Sequence, residues 1–166
     1  MGRAAGSSAA DSAVHPILLY DGVCGLCNRL VQFILRRDPT GIFRFASLQS
    51  ALAELVLGKH GADAHDLDTV YVVVDYERPD ERLLPRSDAI IFILKQLGTR
   101  APVPASSTTA SGSMFWRVVA SLTRLVPRPL RDWAYRVVAR NRYRVFGRSD
   151  SCILPALANR DRFLDL

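Results

Sequence analysis

The sequence predicts an α/β fold, a β-α-β-α-β-β-α core over residues 16–98 with a helical C-terminal extension over 114–166. Three observations carry this expectation. Short apolar runs alternate with segments in which apolar residues recur every three or four positions, the periods of strands and helices respectively. The strongest run, Val70-Tyr71-Val72-Val73-Val74, is β-branched or aromatic throughout, a composition that suits a packed pleated surface. Residues 99–113 are rich in Pro, Ala, Ser and Thr and read as a flexible loop between core and extension. Residues 1–15 read as a disordered leader.

Taken in order, Ile17-Leu18-Leu19-Tyr20 is a buried strand. It leads directly into Asp21-Gly22-Val23-Cys24-Gly25-Leu26-Cys27. Leu26, Leu30, Phe33, Ile34 and Arg37 then follow helical spacing. Asp38-Pro39-Thr40-Gly41 stops that helix, because the residue before a proline is driven out of the helical region and glycine permits a turn. Residues 42–46 form the second strand. Ser47 is the expected N-cap of a helix through Leu48, Leu52, Leu55 and Val56. The strand at 70–74 is followed by a turn and a returning arm at 82–84, as in a hairpin. Ser87 and Asp88 are expected to cap a helix carrying Ile90, Ile91, Ile93, Leu94 and Leu97. In the extension, residues 114–126 are helical in pattern, and Pro127 and Pro129 separate them from a last helix starting near Leu130. Proline is tolerated in a first helical turn, where its missing N–H costs nothing.

At 166 residues and 49% hydrophobic content the chain can bury one core, and 23% charged residues is an ordinary globular proportion. No apolar run reaches the ~20 residues of a spanning helix, and the N-terminus lacks the apolar stretch of a secretory signal. A cytoplasmic setting is the expectation. The net charge of +6 is uneven: Arg128, Arg131, Arg136, Arg140, Arg142, Arg144 and Arg148 fall within one segment, opposed there only by Asp132. Such a run reads as the solvated face of a helix, or as a surface for phosphates or acidic lipids.

The chain has three cysteines, Cys24, Cys27 and Cys152, an odd and low count unlike a disulfide-stapled secreted domain. Cys24 and Cys27 stand at a strand–helix junction, the context of a redox motif. A sulfur at a helix N-terminus meets unsatisfied N–H groups whose partial positive charge favours thiolate, and thiolate is the attacking species in disulfide exchange. Cys24 is therefore the candidate nucleophile, and Cys27, one turn on, the thiol that resolves the mixed disulfide. Asp21 has two open roles: moving a proton during exchange, or fixing the loop by hydrogen bonds to its backbone. As a negative neighbour it would also oppose thiolate formation. Cys152 is either a third redox thiol or a small buried apolar residue. A zinc site is the alternative use of the pair, but the remaining ligand candidates, Cys152, His15, His60 and His65, form no regular second pair. No cofactor is expected.

These residues resemble the DCC family of thiol–disulfide oxidoreductases, named for its Asp-x-x-Cys-x-x-Cys motif. Further segments resemble the same family: Phe45-Ala46-Ser47-Leu48-Gln49-Ser50, Arg86-Ser87-Asp88-Ala89, Ala139-Arg140-Asn141-Arg142-Tyr143-Arg144 with Phe146-Gly147, and Cys152-Ile153-Leu154-Pro155. They are co-linear from about Ile17 to Phe163. The resemblance implies a thioredoxin-like fold, disulfide oxidoreductase activity, and roles for Asp21, Cys24 and Cys27. The exchange reading itself expects a disulfide-containing protein or a small thiol as partner, with the electron donor left open among a thioredoxin system, a glutathione system or another thiol. Two features depart from thioredoxins and glutaredoxins. Gly25-Leu26 is neither of their usual pairs, and Leu67-Asp68-Thr69-Val70 holds no proline before the third strand.

The rival reading is a basic binding module for membranes or nucleic acid. Phe115, Val118, Val119, Leu122, Leu125 and Val126 form an apolar face flanked by Arg117 and Arg124, with Trp116 and Trp133 able to sit at an interface. The plainer expectation is that this face covers the core.

Overall fold

The computed structural model describes residues 15–63, 66–99, 110–148 and 157–165. The leader 1–14, His65, most of the 99–113 loop and Cys152 lie outside the described residues. Four strands and five helices follow in order: β1 (Ile17–Tyr20), α1 (Gly25–Arg37), β2 (Arg44–Ser47), α2 (Ala51–Lys59), β3 (Tyr71–Val74), β4 (Arg82–Pro85), α3 (Arg86–Thr99), α4 (Ala110–Leu125) and α5 (Arg128–Phe146). A short 3-10 helix at Leu157–Arg162 comes last. The expected β-α-β-α-β-β-α succession is present, and it is thioredoxin-like.

The sheet has the order β2-β1-β3-β4. β1 and β2 are parallel, with Leu18 opposite Phe45, so α1 supplies the crossover that a parallel pair requires. β3 runs antiparallel to β1 and to β4. The two central strands, β1 and β3, are buried along their whole length, as the continuous apolar runs demand of strands covered on both faces. Alternation sorts their side chains. Leu18, Tyr20, Phe45, Val72 and Val74 join Cys24, Cys27, Val31 and Ile34 of the α1 side and Ala89, Ile93 and Leu97 of α3. Ile17, Leu19, Ala46, Tyr71 and Val73 face Ala53, Val56 and Leu57 of α2. The result is a helix layer on each face of the sheet, with the motif at the C-terminal end of a central strand.

Several local expectations are corrected. Ser47 ends β2, and the N-cap of α2 is Ser50, whose hydroxyl accepts from the Ala53 N–H at 3.2 Å. α3 begins at Arg86, with φ +52, and its N–H donates to the Val70 carbonyl. Ser87 and Asp88 turn toward α5 instead of capping. The Ser87 hydroxyl donates to Asp132, and Asp88 pairs with Arg128 at 2.8 Å and Arg131 at 3.4 Å. α4 starts at Ala110, ahead of its apolar pattern.

The extension also packs differently from its expected apolar stripe. Phe115, Val118, Leu122 and Leu125 are 49–78% exposed, whereas Ala120 is buried and Trp116 meets Phe33 of α1 edge-on at 5.2 Å. α4 has apolar residues on both sides, so periodicity alone cannot choose the inward one; small Ala120 permits the closer approach. Nor is the arginine run only a solvated face. Arg128, Arg131 and Arg142 pair with aspartates of other elements, while Arg140 and Arg144 are exposed.

The chain end returns to the sheet. Phe163 stacks on Phe45 at 5.1 Å, the Leu164 N–H donates to the Phe45 carbonyl, and Arg162 pairs with buried Asp38. At the other side, the end of α5 is laid against the start of α1. The Gly25 N–H donates to the Gly147 carbonyl at 3.3 Å, and Cys24 forms an antiparallel bridge with Arg148. A Cβ at position 25 would sit 2.3 Å from the Phe146 carbonyl oxygen, so only glycine fits this contact. Gly147, with φ +73, supplies the left-handed turn that makes the approach. Gly25→Ala is expected to lower unfolding free energy by about 1–3 kcal/mol and to strip hydrogen-exchange protection from the residue 25 amide. Denaturant unfolding and exchange measurements check both; unchanged protection contradicts the contact.

Candidate functional site

β1 ends at Tyr20, and the next three residues turn so that the Cys24 N–H donates to the Asp21 carbonyl at 3.2 Å. Cys24 becomes the N-cap of α1, with extended backbone (φ −86°, ψ 117°). Its Sγ accepts from the Cys27 N–H at 3.4 Å, and its carbonyl accepts from the Asn28 N–H at 3.0 Å. A sulfur thus stands where Ser or Asp usually caps a helix. Buried Asn28 clamps the turn from below by donating to the Gly22 carbonyl.

The two thiols are strongly unlike. The Cys24 thiol is lowered to about 6: the Cys27 side chain donates to its sulfur, burial works the other way, and the Cys27 N–H and the Arg142 charge lower it further. The Cys27 thiol is pushed up, first because it gives its proton to the Cys24 sulfur, then by burial and by the negative charge on that sulfur. Neither residue is open to solvent: Cys24 is 0% and Cys27 5% exposed. The segment Gly147–Arg148 lies along the backbone edge of the motif.

Asp21 is fully buried and held by four donors. Its Oδ1 accepts from the Val23 N–H at 3.1 Å and Gln49 Nε2 at 3.0 Å; its Oδ2 accepts from an Arg142 terminal nitrogen at 3.2 Å and the Tyr143 hydroxyl at 2.5 Å. Arg142, 3% exposed, also pairs with Asp68 at 3.0 Å and lies 4.5 Å over the Tyr143 ring. Burial works against its charge, but the Tyr143 hydroxyl and the two sulfurs outweigh it and raise its pKa. Tyr143 is raised by burial and by its bond to Asp21. The carboxylate expected to oppose the thiolate therefore faces a guanidinium that favours it.

The loop before β3 is tied to the same helix. The Tyr135 hydroxyl accepts from the Val70 N–H at 2.9 Å, and burial, with the nearby Cys27, pushes Tyr135 up to about 12. The stretch that lacks the proline of thioredoxins is thus held by two residues of α5, Tyr135 through Val70 and Arg142 through Asp68.

The structure brings Asp21, Cys24 and Cys27 together as the spacing implies. The sequence reading left Arg142 and Tyr143 without a role, and it missed Gln49, Asn28 and Tyr135 as parts of the site. No spacing rule connects Asp21 to a residue 121 positions away; the signal available was that Gln49, Arg142 and Tyr143 lie in segments that resemble the same family. Two of the zinc candidates are engaged elsewhere: His60 pairs with Glu81 at 2.8 Å and His15 contacts the Ile42 carbonyl. Among the described residues no three His, Cys, Asp or Glu side chains cluster as metal ligands. No described helix is long and apolar enough to cross a membrane.

Comparison with known proteins agrees with this geometry. Residues 18–109 match the family described as DCC1-like thiol-disulfide oxidoreductase. The uncharacterized protein YuxK of Bacillus subtilis is 37% identical over 148 residues, covering 89% of this chain and 93% of that relative. A chloroplastic DCC family protein of Arabidopsis thaliana is 34% identical over 140 residues, covering 84% of this chain and 70% of its own length. No solved structure matches. By family match and by two relatives of that likeness, the chain belongs to the DCC1-like thiol-disulfide oxidoreductase family.

Proposed function

We propose that the protein is a thiol–disulfide oxidoreductase in which Cys24 attacks and Cys27 resolves. The observation that carries this reading is the place of Cys24 at the N-cap of α1, where its Sγ accepts from the Cys27 N–H at 3.4 Å and the Arg142 charge adds to the lowering of its thiol. The Cys27 N–H and the Arg142 charge favour thiolate at Cys24, and Cys27 holds its proton.

Exchange then runs in two steps. The Cys24 thiolate attacks one sulfur of a substrate disulfide; the S–S bond breaks, a mixed disulfide forms, and the other substrate sulfur leaves as thiolate and takes a proton. The negative charge that held Cys27 protonated is now gone, so its thiol loses its proton more readily. Cys27 attacks Cys24 Sγ and expels the second substrate sulfur. Two electrons have passed to the substrate, and the protein carries a Cys24–Cys27 disulfide. The same lowered Cys24 is a good leaving group in the reverse direction, so the pair works in either direction according to the potentials of its partners.

Asp21 serves as a positioning residue in this scheme. Its carboxylate already has four donors, which leaves little capacity for a moving proton. It holds Arg142 in place, and the Arg142 charge supports the thiolate. The partners proposed are disulfide-bearing proteins or small thiols, in a cytoplasmic setting.

Cys24→Ser is expected to reduce dithiol-dependent turnover of a model disulfide to the uncatalysed background. Cys27→Ser is expected to accumulate a mixed disulfide at Cys24, seen as an intact-mass adduct removed by reductant. If both variants turn over like the parent, the reading fails. The lowered thiol also fixes a pH dependence: thiolate is present above about pH 6 and lost as pH falls through that value. The rate of Cys24 alkylation by iodoacetamide should fall roughly tenfold per pH unit below that point. An inflection at the ordinary value of 9.0 contradicts the assignment.

A further inference from the structure

Helices α1, α3 and α5, with the end of α4, enclose a cavity of about 520 Å³ beside the motif. Leu26, Leu30, Ile90, Val126, Leu130 and Val138 make its accessible lining almost wholly apolar, while Arg131 and Arg142, which also border it, are paired with Asp88 and with Asp21 and Asp68. Leu130 and Val138 are about half exposed, so it opens along the outer side of α5. A cavity of this size, largely apolar with a few polar groups, is the usual form of a small-molecule site. Its wall contains one of the two sulfur residues: Cys27 lines it and, among the described residues, Cys24 does not.

We infer that this cavity admits the reductant that recharges the pair, and that the reductant is a small, uncharged aliphatic dithiol. The inference rests on the disulfide-exchange reading above and names the donor for that same site. Three features decide the donor's chemistry. Apolar walls would have to strip water from the charges of a peptide thiol such as glutathione, a cost that an uncharged donor avoids. The cysteine in the cavity wall is Cys27, and attack on its sulfur expels Cys24 as a thiolate that the Cys27 N–H and the Arg142 charge stabilise. The mixed disulfide so formed at Cys27 cannot be cleared by Cys24, whose attack only restores the starting disulfide, so a further donor thiol must release it. A second thiol on the first donor is already there.

The step balances as follows. One donor thiol loses its proton and attacks Cys27 Sγ of the Cys24–Cys27 disulfide; that S–S bond breaks and Cys24 leaves as thiolate. The second donor thiol loses its proton and attacks the donor sulfur bound to Cys27. The donor closes as a cyclic disulfide, and Cys27 leaves and takes one proton. Two electrons pass from donor to protein, and one proton is released to solvent.

The test compares two dithiols of equal ring closure, butanedithiol with terminal thiols and its dihydroxy counterpart dithiothreitol, on the oxidised full-length protein. Reduction is followed by the appearance of alkylatable Cys24 and Cys27, with rates corrected to equal thiolate. Butanedithiol is expected to react about tenfold faster or more, with saturation. Ala134→Trp, at an exposed position on the cavity rim, is expected to abolish the preference while its circular dichroism stays that of the parent. Equal rates, or a preference that survives a folded Ala134→Trp protein, overturn the inference and leave the exchange reading standing. Failure of the oxidised protein to form a Cys24–Cys27 disulfide, read by peptide mass, removes both.

Discussion

The buried pair between Asp21 and Arg142 joins the two halves of the molecule. Asp21 belongs to the turn that follows β1, and Arg142 to the last turns of α5; their side chains are 0% and 3% exposed. Two charges withdrawn from water are stable together only where geometry and further hydrogen bonds compensate. Val23, Gln49 and Tyr143 supply those bonds on the carboxylate side, and Asp68 takes the other end of the guanidinium. With α5 so placed, its end reaches the start of α1, Gly25 must be glycine, and Gly147 and Arg148 bond to the motif's backbone. The helical extension is thus part of the candidate site.

This arrangement accounts for how one motif holds two different thiols. The N-cap position gives Cys24 a backbone donor, Cys27 gives it a second, and Arg142 gives it a neighbouring charge. Asp21 would oppose the thiolate if it stood alone, but its charge is met by the guanidinium. The same packing that creates the asymmetry buries both residues, which makes access to the sulfurs as much a part of the chemistry as their ionisation. The cavity reaches Cys27, while the covered backbone edge lies at Cys24.

The core was legible because its signals are local. Alternating and continuous apolar runs placed β1 and β3, and a proline and a glycine after Asp38 ended α1 where expected. The cysteine pair at a strand–helix junction pointed to the family that the comparisons show. Boundaries failed where a side chain had a better long-range partner. Ser87 and Asp88 look like caps in sequence, but they bond to α5. Ser47 looks like a cap, but its backbone completes β2 beside Tyr20. The arginine run looked solvated because the aspartates that neutralise it, Asp21, Asp68 and Asp88, are distant in sequence. Most of the apolar stripe of α4 faces outward, because the helix approaches the core through buried Ala120 and through Trp116 against Phe33, a choice that periodicity does not encode.

The central claim is that Asp21 and Arg142 act as one unit, and a double-mutant cycle on unfolding free energy tests it most directly. Asp21→Asn, Arg142→Met and the double variant are compared with the parent by urea titration. Each single change leaves a buried partner uncompensated and should cost about 3–5 kcal/mol. The double change should cost only about 1–2 kcal/mol more than either alone, a coupling of about 2–3 kcal/mol. Costs that add to within about 0.5 kcal/mol would show two independent groups and contradict the account.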